Sequence, residues 1–90
     1  MNIRTKIALE KEVLIVEDED KVASFIKKGL NTQGYVSTIA ATGREALDFM
    51  SDRNFDLIIL DIGLPDITGL EVCSKIREKN PGVPVLMLTA

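Results

Sequence analysis

The chain contains no histidine and no tryptophan, and Cys73 is its only cysteine among 90 residues. A single thiol cannot form an intramolecular disulfide or a multi-cysteine metal site, and the lack of histidine excludes His-based zinc sites and His general bases. Any metal bound here is therefore expected to have oxygen ligands. The sequence also lacks a secretion signal and any apolar run of membrane-spanning length, which predicts a cytoplasmic location.

An excess of positive charge is missing as well. The net charge is -3, from 14 acidic and 11 basic residues, and the basic residues are scattered along the chain. Without a basic stripe, direct binding of nucleic acid by this segment is not expected. Hydrophobic residues make up 46% and charged residues 28% of the chain, which is typical of one small globular domain.

The first apolar segment, Val13 to Val16, ends abruptly in the acidic run Glu17-Asp-Glu-Asp20. This pattern predicts a buried strand whose end delivers carboxylates. Apolar residues then recur at helical spacing, which predicts a helix from about Lys21 to Thr32 that ends before Gly34. The apolar positions of this helix are Val22, Phe25, Ile26 and Leu30.

Two further strands and a second helix are predicted in the middle of the chain. Tyr35 to Ala40 has the composition of a strand, and the Thr42-Gly-Arg-Glu45 that follows matches a capping box. A helix should therefore start near Gly43. Asp56 to Leu60 is the most apolar of the three strands to this point, and it closes on another carboxylate, that of Asp61.

The last part of the chain repeats the alternation. A loop punctuated by Gly63, Pro65 and Gly69 leads into a helix around Leu70 to Ile76, which Asn80-Pro-Gly82 ends. Val83 to Leu88 is the fourth predicted strand. The resulting β-α-β-α-β-α-β order, with strands apolar on both faces, predicts an α/β fold in which helices cover both sides of a parallel sheet.

Polar side chains follow three of these strands, at the edge where ligands of such sheets bind. Glu17 and Asp18 follow the first strand, Asp61 the third and Thr89 the fourth. Grouped carboxylates repel one another and call for a cation, and Mg²⁺ prefers oxygen ligands. A carboxylate can also attack phosphorus to form an acyl phosphate. The sequence therefore predicts magnesium-assisted phosphate chemistry at Asp61, with a hydrogen bond from the Thr89 hydroxyl to a phosphoryl oxygen.

Taken singly, each of these residues has a purely structural interpretation. Glu17 and Asp18 could favour the dipole of the following helix, and Asp61 could be a polar stop after a strand. Thr89 is a common strand residue. The order of all four along the chain favours the functional interpretation.

Three segments resemble the receiver domains of bacterial two-component response regulators. Leu14-Ile-Val-Glu-Asp-Glu19 is similar to the family's first strand and acidic pair. Asp56 to Gly69, with the sequence DLIILDIGLPDITG, is similar to the phosphoacceptor strand and loop. Pro84-Val-Leu-Met-Leu-Thr-Ala90 is similar to the fourth strand with its switch threonine. The resemblance extends from about Val13 to the last residue.

The resemblance implies a role for each matching position. Asp61 would accept a phosphoryl group from the phosphohistidine of a sensor histidine kinase or a phosphotransfer protein. Glu17, Asp18, Asp61 and the backbone carbonyl of Gly63 would bind Mg²⁺. Thr89 would move toward the phosphoryl group as the switch residue. The domain would not be an enzyme beyond self-phosphorylation.

The resemblance also implies a flavodoxin-like, doubly wound sheet with strand order 2-1-3-4. Residues 1–12 would be an N-terminal extension, and residues 13–90 a partial receiver domain. Receiver domains continue with a helix, a strand that carries a phosphate-pairing lysine, and a last helix. If the chain ends at Ala90, we expect a defect in switching and an exposed sheet edge that favours a homodimer.

Two other functions compete with the phosphoacceptor. A phosphate-independent interaction module would use the open sheet edge to self-associate or to bind another receiver. A phosphohydrolase of the haloacid dehalogenase type would need a second aspartate two residues after its nucleophile on the first strand. Glu17-Asp-Glu-Asp20 imitates that arrangement only loosely.

Overall fold

Four parallel strands and three helices alternate along residues 11–88, which are the residues that the computed structural model describes. The strands are β1 (Glu12–Val16), β2 (Val36–Ala40), β3 (Leu57–Asp61) and β4 (Val85–Leu88). The helices are α1 (Asp20–Thr32), α2 (Gly43–Asp52) and α3 (Gly69–Lys79). The strands lie in the order β2-β1-β3-β4, which confirms the predicted flavodoxin-like order 2-1-3-4.

The two interior strands, β1 and β3, lie side by side. Val16, the last residue of β1, lies opposite Leu60 of β3 and Ala40 of β2. Because all four strands are parallel, their ends lie along one side of the sheet, which we call the carboxyl edge. The opposite side, where the strands begin, is the amino edge. Residues that follow Val16 and Leu60 are therefore neighbours at the carboxyl edge.

Helices cover both faces of the sheet because strand side chains alternate between the faces and are apolar on each. On one face, fully buried Leu14 belongs to a cluster with Ala46 of α2 and Ile76 of α3. On the other face, Ile15 packs in a smaller cluster with Ala23 of α1. Full burial of a side chain such as Leu14 contributes about 1.5–3 kcal/mol to the free energy of unfolding.

The predicted helix signals at α2 and α1 are confirmed. Thr42 caps α2, since its hydroxyl oxygen accepts a hydrogen bond from the Glu45 N–H at 3.1 Å, and the Glu45 carboxylate accepts one from the Ala41 N–H at 2.9 Å. Gly34, after α1, has a φ of 88°, a conformation that L side chains rarely adopt. Within residues 11–88, no helix is long and apolar enough to span a bilayer.

The predicted apolar face of α1 is wrong in one position. Phe25 is 79% exposed, and the side of the helix that meets the sheet carries Ala23, with Ile26 and Leu30 packed beside it. These three positions have the i, i+3, i+7 spacing of one helix face. The short side chain of Ala23, which lets α1 approach the sheet closely, is a weak hydrophobic signal in the sequence.

The fourth strand begins at Val85, two residues later than predicted. Pro84 precedes it and has no N–H to donate to β3, although its carbonyl accepts a hydrogen bond from the Ile58 N–H at 3.0 Å. The side chain of Val83 is buried in the larger cluster. Its burial explains the apolar signal that extended the predicted strand.

Candidate functional site

The register of the sheet brings the acids after β1 next to the acid that ends β3. Glu17 directly follows β1, and its N–H donates a 3.0 Å hydrogen bond to the Ala40 carbonyl of β2. Asp61 is the last residue of β3. Since Val16 lies opposite Leu60, Glu17 and Asp61 stand at the same level on neighbouring strands.

Glu17, Asp18 and Asp61 form a group that we call the acidic cluster. Each residue offers one carboxylate oxygen, and these three oxygens lie within 4.8 Å of one another. Glu17 is only 6% exposed, Asp61 is partly exposed and Asp18 is exposed. The structure therefore brings together the three side chains that the sequence placed at one edge, and water can reach two of them.

Burial changes the pKa of the Glu17 carboxyl group. Its removal from water raises the pKa above the ordinary value of 4.5, and the negative charge of Asp61 raises it further. A hydrogen bond from the Glu19 N–H, 3.1 Å from Oε2 of Glu17, lowers the pKa in part. Glu19 is the N-cap of α1, so Glu17 also serves the start of that helix, as its structural interpretation predicted.

The loop after β3, residues 62–68, which we call the β3–α3 loop, contacts the carboxylate of Asp61 directly. The N–H of Gly63 donates to Oδ1 of Asp61 at 3.0 Å. At the other end of the loop, the N–H of Gly69 donates to the Ile62 carbonyl at 3.1 Å. A Cβ at Gly69 would lie 2.8 Å from the Asp61 carbonyl oxygen, so only glycine fits there. Gly63, a predicted metal ligand, is thus in direct contact with the Asp61 side chain.

The acidic cluster offers oxygen donors of the kind that a magnesium ion prefers. Mg²⁺ is octahedral, with oxygen ligands at about 2.0–2.1 Å, so two of its ligands are about 3–4 Å apart. Three oxygens within 4.8 Å can converge on such an ion with small side-chain movements. Burial is the main cause of the raised pKa of Glu17, and an ion would offset the smaller contribution from the negative charge of Asp61. The remaining predicted residue, Thr89, lies outside the described residues.

Sequence reasoning did not single out Asp66, which lies in the β3–α3 loop. Its Oδ1 accepts a hydrogen bond from the Gly43 N–H at 2.9 Å, and its Oδ2 accepts one from the Arg44 N–H at 3.0 Å. Partial removal from water raises the pKa of Asp66, but hydrogen bonds from backbone N–H groups, those of Gly43 and Arg44 foremost, together outweigh it and hold the pKa below the ordinary 3.8. An acid after Pro65 looks like a turn residue, and its partners are 22 and 23 positions away.

Comparison with known proteins assigns residues 13–90 to the family described as response regulator receiver domain. The chain is 42% identical over 79 residues to the transcriptional regulatory protein CusR of Escherichia coli K12. This match covers 88% of this chain and 35% of CusR. It is 38% identical over 82 residues to the alkaline phosphatase synthesis regulatory protein PhoP of Bacillus subtilis, covering 91% of this chain and 34% of PhoP. The chain thus spans about a third of the length of these relatives.

Solved structures agree with the sequence relatives. The response regulator TrrA of Thermotoga maritima, in complex with Mg²⁺ and BeF, is 41% identical and superposes with a TM-score of 0.85, covering 89% of this chain and 70% of that chain. TrrA in complex with the histidine kinase ThkA matches with a TM-score of 0.84, covering 89% and 69% of the two chains. By sequence and by structure, the chain belongs to the response regulator receiver domain family of two-component signalling proteins.

Proposed function

We propose that the domain accepts a phosphoryl group on Asp61 from the phosphohistidine of a sensor histidine kinase or phosphotransfer protein. In this transfer an oxygen of the Asp61 carboxylate forms a bond to phosphorus as the bond from phosphorus to the imidazole nitrogen breaks. The observation that carries the proposal is the meeting of three carboxylates at the end of β3. Complexes of the relative TrrA with Mg²⁺-BeF and with a histidine kinase support it.

In this proposal, Mg²⁺ is held by the acidic cluster and the Gly63 carbonyl, and it offsets charge between the cluster and the incoming phosphoryl group. The Gly63 N–H, which donates to Oδ1, orients the carboxylate of Asp61. Thr89 would donate a hydrogen bond to a phosphoryl oxygen and act as the switch. Transfer to Asp61, rather than turnover of free phosphate esters, is the proposed chemistry.

Incubation with acetyl phosphate or beryllofluoride tests the acceptor. We expect a Mg²⁺-dependent adduct on the wild-type protein, detected by mass spectrometry or ¹⁹F NMR, and none on Asp61→Asn. Asp66→Asn in the neighbouring loop is a poor control because it contacts α2, so the matched control is Asp56→Asn, which precedes β3 at the amino edge. An adduct that persists in Asp61→Asn, or that does not need Mg²⁺, would contradict the proposal.

The surface of α1 is the proposed contact for the kinase. Phe25 is 79% exposed in the helix that directly follows Glu17 and Asp18, and an exposed aromatic side chain is a common anchor in protein interfaces. We expect Phe25→Ala to slow transfer from a phosphorylated kinase about tenfold, equivalent to about 1.4 kcal/mol, without changing reaction with acetyl phosphate. Leu70→Ala, which removes another exposed side chain from α3, serves as the control.

Self-association through β4 is a second candidate function. Among residues 11–88, β4 pairs with β3 on one side and has no strand on the other, and Leu86 is 55% exposed. Such an edge favours pairing with another chain. Sedimentation at several concentrations should reveal a dimer of this chain that Leu86→Lys converts to a monomer. A wild-type protein that stays monomeric and folded would contradict this function.

A further inference from the structure

Asp66 connects the β3–α3 loop to the N-terminus of α2 through hydrogen bonds. Its two carboxylate oxygens accept the N–H groups of Gly43 and Arg44, the first two residues of α2. These N–H groups have no partner within their own helix, because the first turn of a helix leaves its donors free. The Asp66 side chain is 23% exposed, and each of its carboxylate oxygens is within 3.0 Å of one of these donors.

The same end of α2 is in close contact with the loop at a second point. A Cβ at Gly43 would lie 2.8 Å from Cδ1 of Ile67 and 2.9 Å from Cγ2 of Val72. Ile67 therefore occupies the space that a side chain at position 43 would fill. Hydrogen bonds and side-chain packing together fix the loop against α2 immediately beyond the acidic cluster.

The other end of the same loop positions the reacting group. The Gly63 N–H donates to Oδ1 of Asp61, and the Gly69 N–H donates to the Ile62 carbonyl. A movement of the loop away from α2 would therefore displace Gly63, both its N–H, which orients the Asp61 carboxylate, and its carbonyl, a predicted metal ligand. Only four residues lie between Asp61 and Asp66, which leaves little slack between the acidic cluster and the contact with α2.

We propose that Asp66 is a positioning residue for the metal and phosphoryl site, and that it acts by holding the β3–α3 loop on the N-terminus of α2. This proposal rests on the proposed function of Asp61. Asp66 touches neither the acidic cluster's metal position nor Asp61, so its effect is on the geometry of Gly63 and of the Asp61 carboxylate. Loss of the hydrogen bonds between Asp66 and α2 lowers the affinity for Mg²⁺ without removing a metal ligand.

Two helix caps on the same helix allow a matched test. Asp66→Asn keeps the size of the side chain but places an N–H₂ group against one of the two backbone donors. Thr42→Ala removes the cap that the residue just before α2 provides, the hydroxyl oxygen that accepts the Glu45 N–H. It leaves the contacts between α2 and the β3–α3 loop intact. Both variants should lower the melting temperature by several degrees. Only Asp66→Asn should weaken Mg²⁺ binding, by about tenfold, when measured by calorimetry.

A measurement on the wild-type protein does not depend on the folding of a variant. Coupling between two sites is reciprocal, so bound Mg²⁺ should slow hydrogen exchange at the Gly43 and Arg44 amides by about the same tenfold factor. Equal Mg²⁺ affinities of Asp66→Asn and Thr42→Ala, or unchanged exchange at these amides, would overturn the positioning role. A wild-type protein that binds no Mg²⁺ would overturn the proposed function as well.

Discussion

The two edges of the sheet differ in the partners of their acidic side chains. At the amino edge, the Glu12 carboxylate pairs with the Arg53 guanidinium at 3.0 Å, and the Asp56 carboxylate accepts the Glu12 N–H at 2.8 Å. At the carboxyl edge, the acidic cluster contains three carboxylates that face one another. These contacts of acids at the amino edge stabilise the fold, whereas repulsion among the carboxylates of the acidic cluster opposes it.

Close backbone packing at the carboxyl edge should give the largest stability effect. Gly69→Ala places a Cβ 2.8 Å from the Asp61 carbonyl oxygen, so backbone must shift and we expect a loss of about 3 kcal/mol in the free energy of unfolding. Gly29→Ala in exposed α1 meets nothing within 4 Å and should gain about 0.5–1 kcal/mol. Urea unfolding measures both. Equal effects would mean that the carboxyl edge tolerates a side chain there.

The same substitution at the two edges should change stability in opposite directions. Without metal, Asp61→Asn relieves repulsion in the acidic cluster and should stabilise the protein by about 1 kcal/mol. Asp56→Asn weakens the hydrogen bond from the Glu12 N–H and should cost about 0.5 kcal/mol. Mg²⁺ at ten times its dissociation constant should stabilise the wild type by about 1.4 kcal/mol and leave Asp61→Asn unchanged. Chelation with EDTA should reverse that gain in thermal unfolding.

The raised pKa of Glu17 predicts an unusual pH dependence in the absence of metal. A carboxyl with a folded-state pKa above the unfolded value binds its proton more tightly in the folded state. Its destabilising effect is therefore absent below about pH 4.5, grows as pH rises through the folded-state pKa, and is complete above it.

Glu17→Gln removes that contribution, so the difference between its stability and that of the wild type should increase from pH 4.5 upward. Urea unfolding in EDTA across this range measures the difference. Asp66, whose pKa is lowered, contributes the opposite slope below its ordinary 3.8 and is present in both proteins. A difference that is flat with pH would show that Glu17 has no perturbed titration.

The smallest expected difference in stability is between the alanine variants of two surface arginines. Arg53 at the amino edge bonds Glu12 and Thr38 and lies 5.0 Å from the ring centroid of Phe55, so Arg53→Ala should cost about 1 kcal/mol. Arg44 is 79% exposed and 3.9 Å from Asp66, so Arg44→Ala should stay within about 0.5 kcal/mol. Thermal unfolding of both variants in low and high salt provides the measurement, and a greater cost for Arg44→Ala would invert the expected order.

The parts of the fold that could be predicted are those specified by local sequence. Strands β1 and β3 are apolar on both faces, Gly34 supplies a positive φ, and Thr42 with Glu45 supplies a cap, so each needs only neighbouring residues to be recognised. The proximity of the three carboxylates of the acidic cluster could be predicted from one further rule, that parallel strands end at the same edge of the sheet.

The parts that could not be predicted depend on contacts between distant segments. Phe25 fits the helical apolar period as well as Ile26 does, and only the packing of α1 on the sheet decides which one is buried. The hydrogen-bond partners of Asp66 are at the start of α2, more than 20 positions earlier in the chain, so no local pattern marks Asp66. Thr89 lies outside the described residues, and its role stays a prediction, as do the boundary at residue 12 and the cytoplasmic location.

The pairing of Val16 with Leu60 has a consequence for how such a site can change over time. Extra residues in the connections between strands and helices lengthen surface loops at small entropic cost and leave this pairing intact. One residue inserted within β1 or β3 shifts every later side chain of that strand to the opposite face. Length changes should therefore be tolerated in the connections that run from a helix to the next strand at the amino edge, whereas the spacing inside the two central strands and in the β3–α3 loop is fixed by the site at the carboxyl edge.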